Sequence, residues 1–184
     1  MNEAVQNCRP EPLLRGQTGG QKCPATVVDL VPFSEISEAE RLATRAWRNS
    51  PKVAKYFRIR HIDEATHRAW LEKMSVAKPS VVAFVIRVDG RDVGVTYFHS
   101  IDRERHACDW GIYIHDISCR GHGVSNEVLR RMLDFANTQL NMESVFLDVH
   151  ADNERAIALY ERHGFVRCND QKGGDFIRYE RRMR

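Results

Sequence analysis

The sequence predicts a mixed α/β fold of the α+β kind, with a central mixed sheet flanked by helices. The first observation is a change of hydrophobic period, from helical spacing in residues 37–74 to strand-like alternation in residues 81–115. The second is the order of a strand-like run, a glycine-rich turn, an amphipathic stretch and another strand-like run between Ala107 and Val149. That order is typical of a β-α-β crossover, whose two strands should be parallel or splayed neighbours.

Length and composition fit one domain with a substantial core. Of the 184 residues, 42% are hydrophobic and 29% charged, which predicts a single domain over residues 25–184. Residues 1–24 are rich in Pro and Gly, so we expect a flexible leader outside the fold. No segment has the roughly 20 apolar residues that cross a bilayer, and no signal-peptide core is present. We therefore expect a cytoplasmic protein without a membrane partner.

Charge and cysteine content exclude several classes of protein. The formal net charge is +3, with both signs interspersed, which argues against a nucleic-acid-binding protein. The five cysteines are scattered and form no CxxC pair, so neither a zinc site nor a disulfide framework is predicted. We expect free thiols and no bound metal.

Three helices are predicted before the main part of the sheet. A capping box at residues 37–40 begins the first helix, which should end before Pro51. A short helix is expected over residues 52–57, and Asp63 can cap the third helix. A β-branched run at residues 26–33 predicts a strand ahead of them.

An antiparallel meander follows these helices. The pair Asp89-Gly90 favours a two-residue turn with positive φ, which would join strands at residues 81–88 and 93–101. A third strand is expected at residues 106–115.

The second half continues with two helices and three strands. Apolar spacing predicts a helix over residues 124–140 and then a strand over residues 145–150. Asp152 can cap the next helix, and Gly164 suits its left-handed end. The last two strands are expected at residues 165–168 and 176–182.

The glycine-rich turn Arg120-Gly121-His122-Gly123-Val124-Ser125 predicts an anion site. A strand, a glycine-rich turn and a helix in this order place unpaired backbone N–H groups and the positive helix end around an anion, usually a phosphate. Such a turn alone occurs in several kinds of phosphate-binding protein.

Two blocks together resemble the Gcn5-related N-acetyltransferase (GNAT) superfamily. Residues 120–125 are similar to its Arg/Gln-x-x-Gly-x-Gly/Ala turn, with Ser125 where the family prefers Gly or Ala. Residues 153–165 are similar to its N-x-x-A-x-x-x-Y-x-x-x-G-F block. The resemblance implies the GNAT acyl-CoA N-acyltransferase fold, with a splayed parallel strand pair, and acetyl-CoA as the cosubstrate.

The resemblance also implies how acetyl-CoA is held. The turn and the helix dipole would bind the pyrophosphate, with a charge-assisted bond from Arg120. The backbone edge of the strand before the turn would pair with the pantetheine arm, and Asn153 would bind that arm from the other side. The implied binding residues are Ile112, Ile114, Arg120, Gly121, His122, Gly123, Val124, Ser125, Asn153 and Ala156.

Direct attack of an amine on a thioester needs a base, an oxyanion donor and an acid. Tyr160 matches the family position that protonates the leaving thiolate, and its alternative is a core tyrosine. Asp109, eleven residues before the turn begins, lies where some members place the base, and its alternative is a solvated carboxylate. His99 and His150 compete for the role of base.

A further resemblance concerns the acceptor. Over residues 40–165 the chain is similar to the PseH-type branch, with its RN-x-P and H-x-x-W/F patterns. That branch N-acetylates the 4-amino group of a UDP-linked 4-amino-4,6-dideoxy sugar in pseudaminic acid (flagellin glycan) biosynthesis. The implied acceptor-binding residues are Arg48, His67, His99 and Tyr113.

The sequence is also compatible with other acceptors and with a non-enzymatic function. Similar patterns occur in N-acetyltransferases of ribosomal-protein N-termini and of polyamines, but a polyamine favours an acidic pocket. Residues 45–68 are instead rich in Arg, Lys and His, which fits an anionic acceptor. A non-enzymatic acetyl-CoA sensor is a third alternative. A homodimer is compatible with the resemblance.

Overall fold

The computed structural model describes residues 27–76, 78–119, 121–169 and 174–183. The predicted leader, residues 1–24, and Arg120 lie outside these ranges. The elements in chain order are β1 (Val28–Pro32), α1 (Glu38–Asn49), α2 (Pro51–Ala54), α3 (Glu64–Glu72), β2 (Val82–Val88), β3 (Arg91–Asp102), β4 (Ala107–Ile114), α4 (Val124–Thr138), β5 (Ser144–His150), α5 (Glu154–Arg162), β6 (Val166–Arg167) and β7 (Phe176–Arg182).

The strands form one seven-stranded mixed sheet in the order β1-β2-β3-β4-β5-β7-β6. All neighbours are antiparallel except β4 and β5, which are parallel. Their register pairs cover residues 107–109 of β4 and 144–146 of β5, whereas β4 continues to Ile114. The predicted splayed parallel pair is therefore confirmed, and the two strands separate beyond Asp109.

Local sequence signals set several element ends as predicted. The Glu40 backbone N–H donates to Ser37 Oγ at 3.2 Å, and the Ser37 N–H donates to Glu40 Oε2 at 2.8 Å. Asp63 caps α3 by accepting from the Thr66 N–H at 2.7 Å. Asp89 and Gly90 have φ values of 48° and 78°, as the predicted hairpin turn requires.

Two predicted boundaries are wrong. The short helix α2 covers Pro51–Ala54 rather than residues 52–57. Asp152 does not cap α5. The Asn153 N–H donates to the His150 carbonyl at 2.8 Å, which places Asp152 in the turn before the helix. The helix therefore begins one residue later than expected. The N-cap is Asn153, whose carbonyl accepts from the Ala156 N–H at 3.0 Å.

Two buried clusters lie on opposite faces of the sheet. Alternate residues of β2 belong to different clusters, Phe84 and Ile86 to one and Ala83 and Val85 to the other. The larger cluster includes the apolar faces of α4 and α5, and the smaller one includes aromatic residues of α1 and α3. Within the ranges that the structure describes, no helix combines the length and apolar character needed to cross a bilayer.

Candidate active site

Two cavities meet where β4 and β5 separate. The turn cavity, about 420 Å³, lies beside the glycine-rich turn and the starts of α4 and α5. The fork cavity, about 570 Å³, lies between the helical segment 48–73 and the strands β3, β4, β5 and β7. The residues that line both cavities, and so mark their junction, are Tyr56, Phe57, Ile112, Tyr113, Asn153 and Tyr160.

The turn cavity has the backbone geometry of an anion site. Gly121 and Gly123 have φ values of 87° and 76°, and a Cβ atom at either position would meet nothing within 4 Å. Gly123 is the N-cap of the 15-residue helix α4 and offers no capping side chain. The first N–H groups of α4 therefore lack a side-chain acceptor from the cap and can bind an anion.

The charges around the turn cavity also favour an anion. Its described lining includes Lys52, Arg155 and Arg162 and contains no carboxylate. Sequence reasoning did not assign these three cations to the cosubstrate, and it counted Lys52 among the cations that favour an anionic acceptor. Arg155 and Arg162 are seven residues apart on α5, two helical turns, so their shared face was visible in the sequence, whereas the approach of Lys52 was not.

The structure brings most of the predicted acetyl-CoA-binding residues to this cavity. His122 is exposed and contributes no side chain to the lining, so its predicted role is limited to the backbone of the turn. Arg120 lies outside the described residues. The predicted residues that line the cavity are Ile112, Ile114, Gly121, Gly123, Val124, Ser125, Asn153 and Ala156.

Tyr160 lies at the junction of the two cavities. The residue is 8% exposed, and its ring packs edge-on against Trp110, with the ring centres 5.8 Å apart. Burial raises the pKa of the Tyr160 hydroxyl well above its ordinary value. The hydroxyl therefore stays protonated at neutral pH and can act as a proton donor.

Arg48 places a buried cation in the fork cavity. Its side chain is anchored by a 2.7 Å hydrogen bond from Nη2 to the Ile59 carbonyl, and its Cζ lies 3.6 Å from the centre of the Phe57 ring. Nη1 is buried without a hydrogen-bond partner, and burial lowers the pKa of the guanidinium. A buried donor without a partner is costly, so Nη1 is suited to a ligand oxygen.

His67 offers an acceptor in the same cavity. The Thr44 hydroxyl donates to the Arg41 carbonyl at 2.7 Å, so it can only accept from His67 Nε2, 3.2 Å away. This assigns the proton to Nε2 and leaves the buried, unpartnered Nδ1 as an acceptor. Burial lowers the pKa of His67, which favours the neutral ring.

Tyr113 lines both cavities with its ring. Its hydroxyl donates to the Thr44 carbonyl at 3.1 Å, and burial raises its pKa. The hydroxyl is therefore engaged by the protein, and Tyr113 supplies an apolar wall.

An ion-pair network closes the other side of the fork cavity. Asp109 forms an ion pair with Arg178 of β7, and Arg178 Nη1 also lies 3.2 Å from Asp148 Oδ1. Arg58 lies 3.4 Å from Asp148 and stacks on Phe176 with its Cζ 4.3 Å from the ring centre. Sequence reasoning did not assign Arg178 to the site, because β7 lies about 70 residues after β4 and no motif links them.

The fork cavity is positively charged overall. Its cations are Arg48, Arg58, Lys73 and Arg178, and its two carboxylates are Asp109 and Asp148. Both carboxylates are already paired with arginines. Among the residues described, no group of three or more His, Cys, Asp or Glu side chains is arranged to hold a metal ion.

Comparison with known proteins identifies the family and the fold. A family model described as an acetyltransferase (GNAT) domain matches residues 28–166. Acetyltransferase PseH of Campylobacter jejuni is 24% identical over 147 residues, which are 79% of this chain and 89% of PseH. L-amino acid N-acetyltransferase AaaT of Escherichia coli is 27% identical over 125 residues, 67% of this chain and 75% of AaaT.

Solved structures show the same fold. The crystal structure of Campylobacter jejuni PseH in complex with acetyl coenzyme A has a TM-score of 0.64 and 20% identity, and it covers 86% of this chain and 100% of PseH. Spermidine N-acetyltransferase from Vibrio cholerae, in complex with CoA and spermine, has a TM-score of 0.70 and 18% identity over 86% of this chain and 95% of its own. The chain therefore belongs to the GNAT acetyltransferases and is an acetyl-CoA-dependent N-acetyltransferase.

Proposed function

We propose that this chain acetylates the 4-amino group of a UDP-linked 4-amino-4,6-dideoxy sugar, by direct attack of the amine on acetyl-CoA. Such an activity would belong to pseudaminic acid biosynthesis. The observation that supports the acceptor class is the buried Arg48, whose Nη1 faces no protein partner while its side chain lines a cationic cavity. A planar guanidinium with a spare donor suits a diphosphate.

The size and lining of the fork cavity support a nucleotide sugar. A volume of about 570 Å³ lies within the range of pockets that hold ligands of drug size. Aromatic rings stand around it and can pack on a uracil or on the methyl-bearing face of a sugar. The aromatic lining residues are Tyr56, Phe57, Trp70, Tyr97, Trp110, Tyr113, Tyr160 and Phe176.

On the donor side we propose that the turn cavity binds acetyl-CoA. Its three cations and the uncapped start of α4 fit the phosphates of the cosubstrate. When bound, acetyl-CoA supplies the thioester that the amine attacks. Tyr160, at the junction of the cavities, is placed to give its proton to the sulfur that leaves.

The charges of the fork cavity also bear on two other candidate acceptors, a polyamine and an L-amino acid. A polyamine needs free carboxylates, whereas Asp109 and Asp148 are both engaged by arginines. The Escherichia coli spermidine N(1)-acetyltransferase aligns with 45% of this chain, less than PseH does. An L-amino acid carries a carboxylate that Arg48 could bind, but it would fill a small part of the fork cavity.

The decisive experiment mixes the protein and acetyl-CoA with one acceptor at a time and follows free thiol. The panel is the UDP-linked 4-amino-4,6-dideoxy sugar, spermidine, a set of L-amino acids and an N-terminal ribosomal peptide. We expect the largest kcat/KM with the nucleotide sugar, and mass spectrometry should show one added acetyl group. A larger kcat/KM with any other member would overturn the sugar assignment.

A further inference from the structure

Strand β3 is irregular at one point, directly after His99. His99 lies opposite Asp109 on β4, and the next register pair is Asp102 with Ala107. Two residues of β3, Ser100 and Ile101, thus face a single residue of β4, which is a β-bulge. Ser100 adopts φ 51°, a conformation that costs a non-glycine residue free energy and that concentrates at functional sites.

The bulge lies at the wall of the fork cavity. His99 and Ser100 both line that cavity, and the ring of Tyr97 lies 5.7 Å from the His99 ring. His99 Nδ1 is 3.1 Å from Ser100 Oγ, across the strained residue. With Nδ1 engaged by Ser100, Nε2 is the ring nitrogen that remains for a ligand.

Charged groups reach His99 from four other elements. Asp109 faces it from β4, Arg178 from β7, Asp148 from β5 and Lys73 from the end of α3. Burial lowers the pKa of His99 below its ordinary value; Asp109 acts in the opposite direction, and Arg178 partly offsets the effect of Asp109. The imidazole is therefore neutral at pH 7, as a proton acceptor must be.

The carboxylate of Asp109 is held by a cation. It forms an ion pair with Arg178, and its side chain is 17% exposed. The carboxylate is thus already engaged by the Arg178 guanidinium, whereas His99 Nε2 remains for a ligand. Its position opposite His99, about 5 Å between Cβ atoms for a cross-strand pair, suits an electrostatic effect on the imidazole.

We propose that His99 Nε2 takes the proton from the acceptor amine, and that Asp109 and Arg178 are positioning residues that set its charge state. As the amine nitrogen forms its bond to the acetyl carbon, the proton it loses goes to His99. As the carbon–sulfur bond breaks, its electron pair stays on sulfur, which receives the Tyr160 proton. Solvent then takes the proton from His99 and returns one to Tyr160. The proposal rests on the N-acetyltransferase activity and holds for any amine in the panel.

The first test compares two histidines of the same cavity. His99→Gln should lower kcat about 100-fold or more, with the acetyl-CoA Kd changed less than about twofold. His150→Gln is the matched control, because His150 also lines the fork cavity. This variant should keep the acidic limb of the pH profile of kcat, which is the fall in kcat at low pH. A His99→Gln enzyme whose kcat is within threefold of the unmodified chain and whose pH profile is unchanged overturns the proposal.

The second test separates a proton acceptor from a residue that merely binds the substrate. Arg178→Gln removes a cation beside His99, so the pKa of His99 rises and the acidic limb of kcat moves to higher pH. Asp109→Asn removes an anion, so the limb moves to lower pH. Loss of the limb in Asp109→Asn would make Asp109 the base. A limb that stays in place in both variants would assign His99 to substrate binding only.

The acceptor for these kinetics is whichever member of the panel releases thiol fastest. If that acceptor is not the nucleotide sugar, the proposed function fails while the role of His99 is still measured. The NMR titration of the His99 ring gives a readout without turnover. Its pKa should lie below 6.5 in the unmodified chain and should rise in Arg178→Gln; no rise overturns the proposal.

Discussion

The guanidinium of Arg48, in the last turn of α1, stacks on the ring of Phe57, with 3.6 Å between Cζ and the ring centre. Arg48 also donates to the carbonyl of Ile59, and Asn49 exchanges two hydrogen bonds with the backbone of Ile62. These contacts hold the segment between α2 and α3 against α1. The same segment supplies one wall of the fork cavity, so the last turn of α1 helps to fix the shape of the proposed acceptor site.

Arg48→Lys should raise the KM for the nucleotide sugar about tenfold. The lysine ammonium keeps the charge but lacks the second N–H donor of the planar guanidinium. The acetyl-CoA Kd should stay within about twofold. Arg60→Gln is the control, since Arg60 is exposed in the same segment and does not line either cavity. Steady-state kinetics with both substrates measures this, and an unchanged KM in Arg48→Lys would exclude Arg48 from acceptor binding.

Tyr160→Phe should lower kcat about 100-fold, because the phenyl ring keeps the packing against Trp110 but has no proton to give. Acetyl-CoA binding, followed by calorimetry, should be nearly unchanged. Thermal unfolding checks that the variant is folded. If binding is lost together with kcat, Tyr160 is a structural residue of the junction.

Gly123→Ala should weaken acetyl-CoA binding, because its methyl group would project into the open space beside the turn, from a residue with φ 76°. The left-handed conformation should also cost about 1–2 kcal/mol of stability. Gly90→Ala is the matched control, with φ 78° and equally open surroundings in the hairpin turn. Both variants should lose stability, and only Gly123→Ala should change the acetyl-CoA Kd; equal Kd values would place the cosubstrate elsewhere.

Glu127 should make stability depend on pH. Hydrogen bonds from Arg130 and Arg131 lower the pKa of its carboxyl to about 2. Because the folded-state pKa is depressed, this stabilisation is complete above about pH 4.5 and is lost as the pH falls toward 2. Its size should be about 1 kcal/mol or less, since the side chain is 32% exposed.

Glu127→Gln should therefore lower the free energy of unfolding at pH 7, and its difference from the unmodified chain should shrink below pH 4.5. Urea unfolding at pH 7, 5 and 3 measures this. Glu143→Gln serves as the control, because Glu143 is exposed and forms no ion pair with the other described residues. A difference that stays constant over this pH range would show that the ion pairs are not its cause.

Signals that depend on neighbouring residues were read correctly from the sequence. The capping box of α1, the Asp63 cap and the Asp89-Gly90 turn are all confirmed, because each involves residues at most three positions apart. Asp152 was misassigned as the N-cap of α5. The turn before this helix is closed by a hydrogen bond from the Asn153 N–H to the His150 carbonyl, which capping propensity alone does not show. The extent of the domain, residues 25–184, stays a prediction.

The sequence by itself determined the donor half of the proposed site. Two motif blocks identified the family. Residues of the first block around Gly123 line the turn cavity, and Tyr160 of the second block lies where this cavity meets the fork cavity. A glycine-rich turn at a helix start is a local device, so its residues are adjacent in the chain and visible without a structure.

Only the tertiary structure decided the acceptor half of the proposed site. Arg178 meets Asp109 because β7 pairs with β5 and β5 with β4, and Arg48 is buried because the segment after α2 folds back onto α1. These contacts join residues 11 to 69 positions apart, and no period or spacing encodes them. Burial lowers the pKa of His99, and charged side chains of other strands act on it across the sheet, so the proposed chemistry of the acceptor site depends on the sheet order and not on any motif.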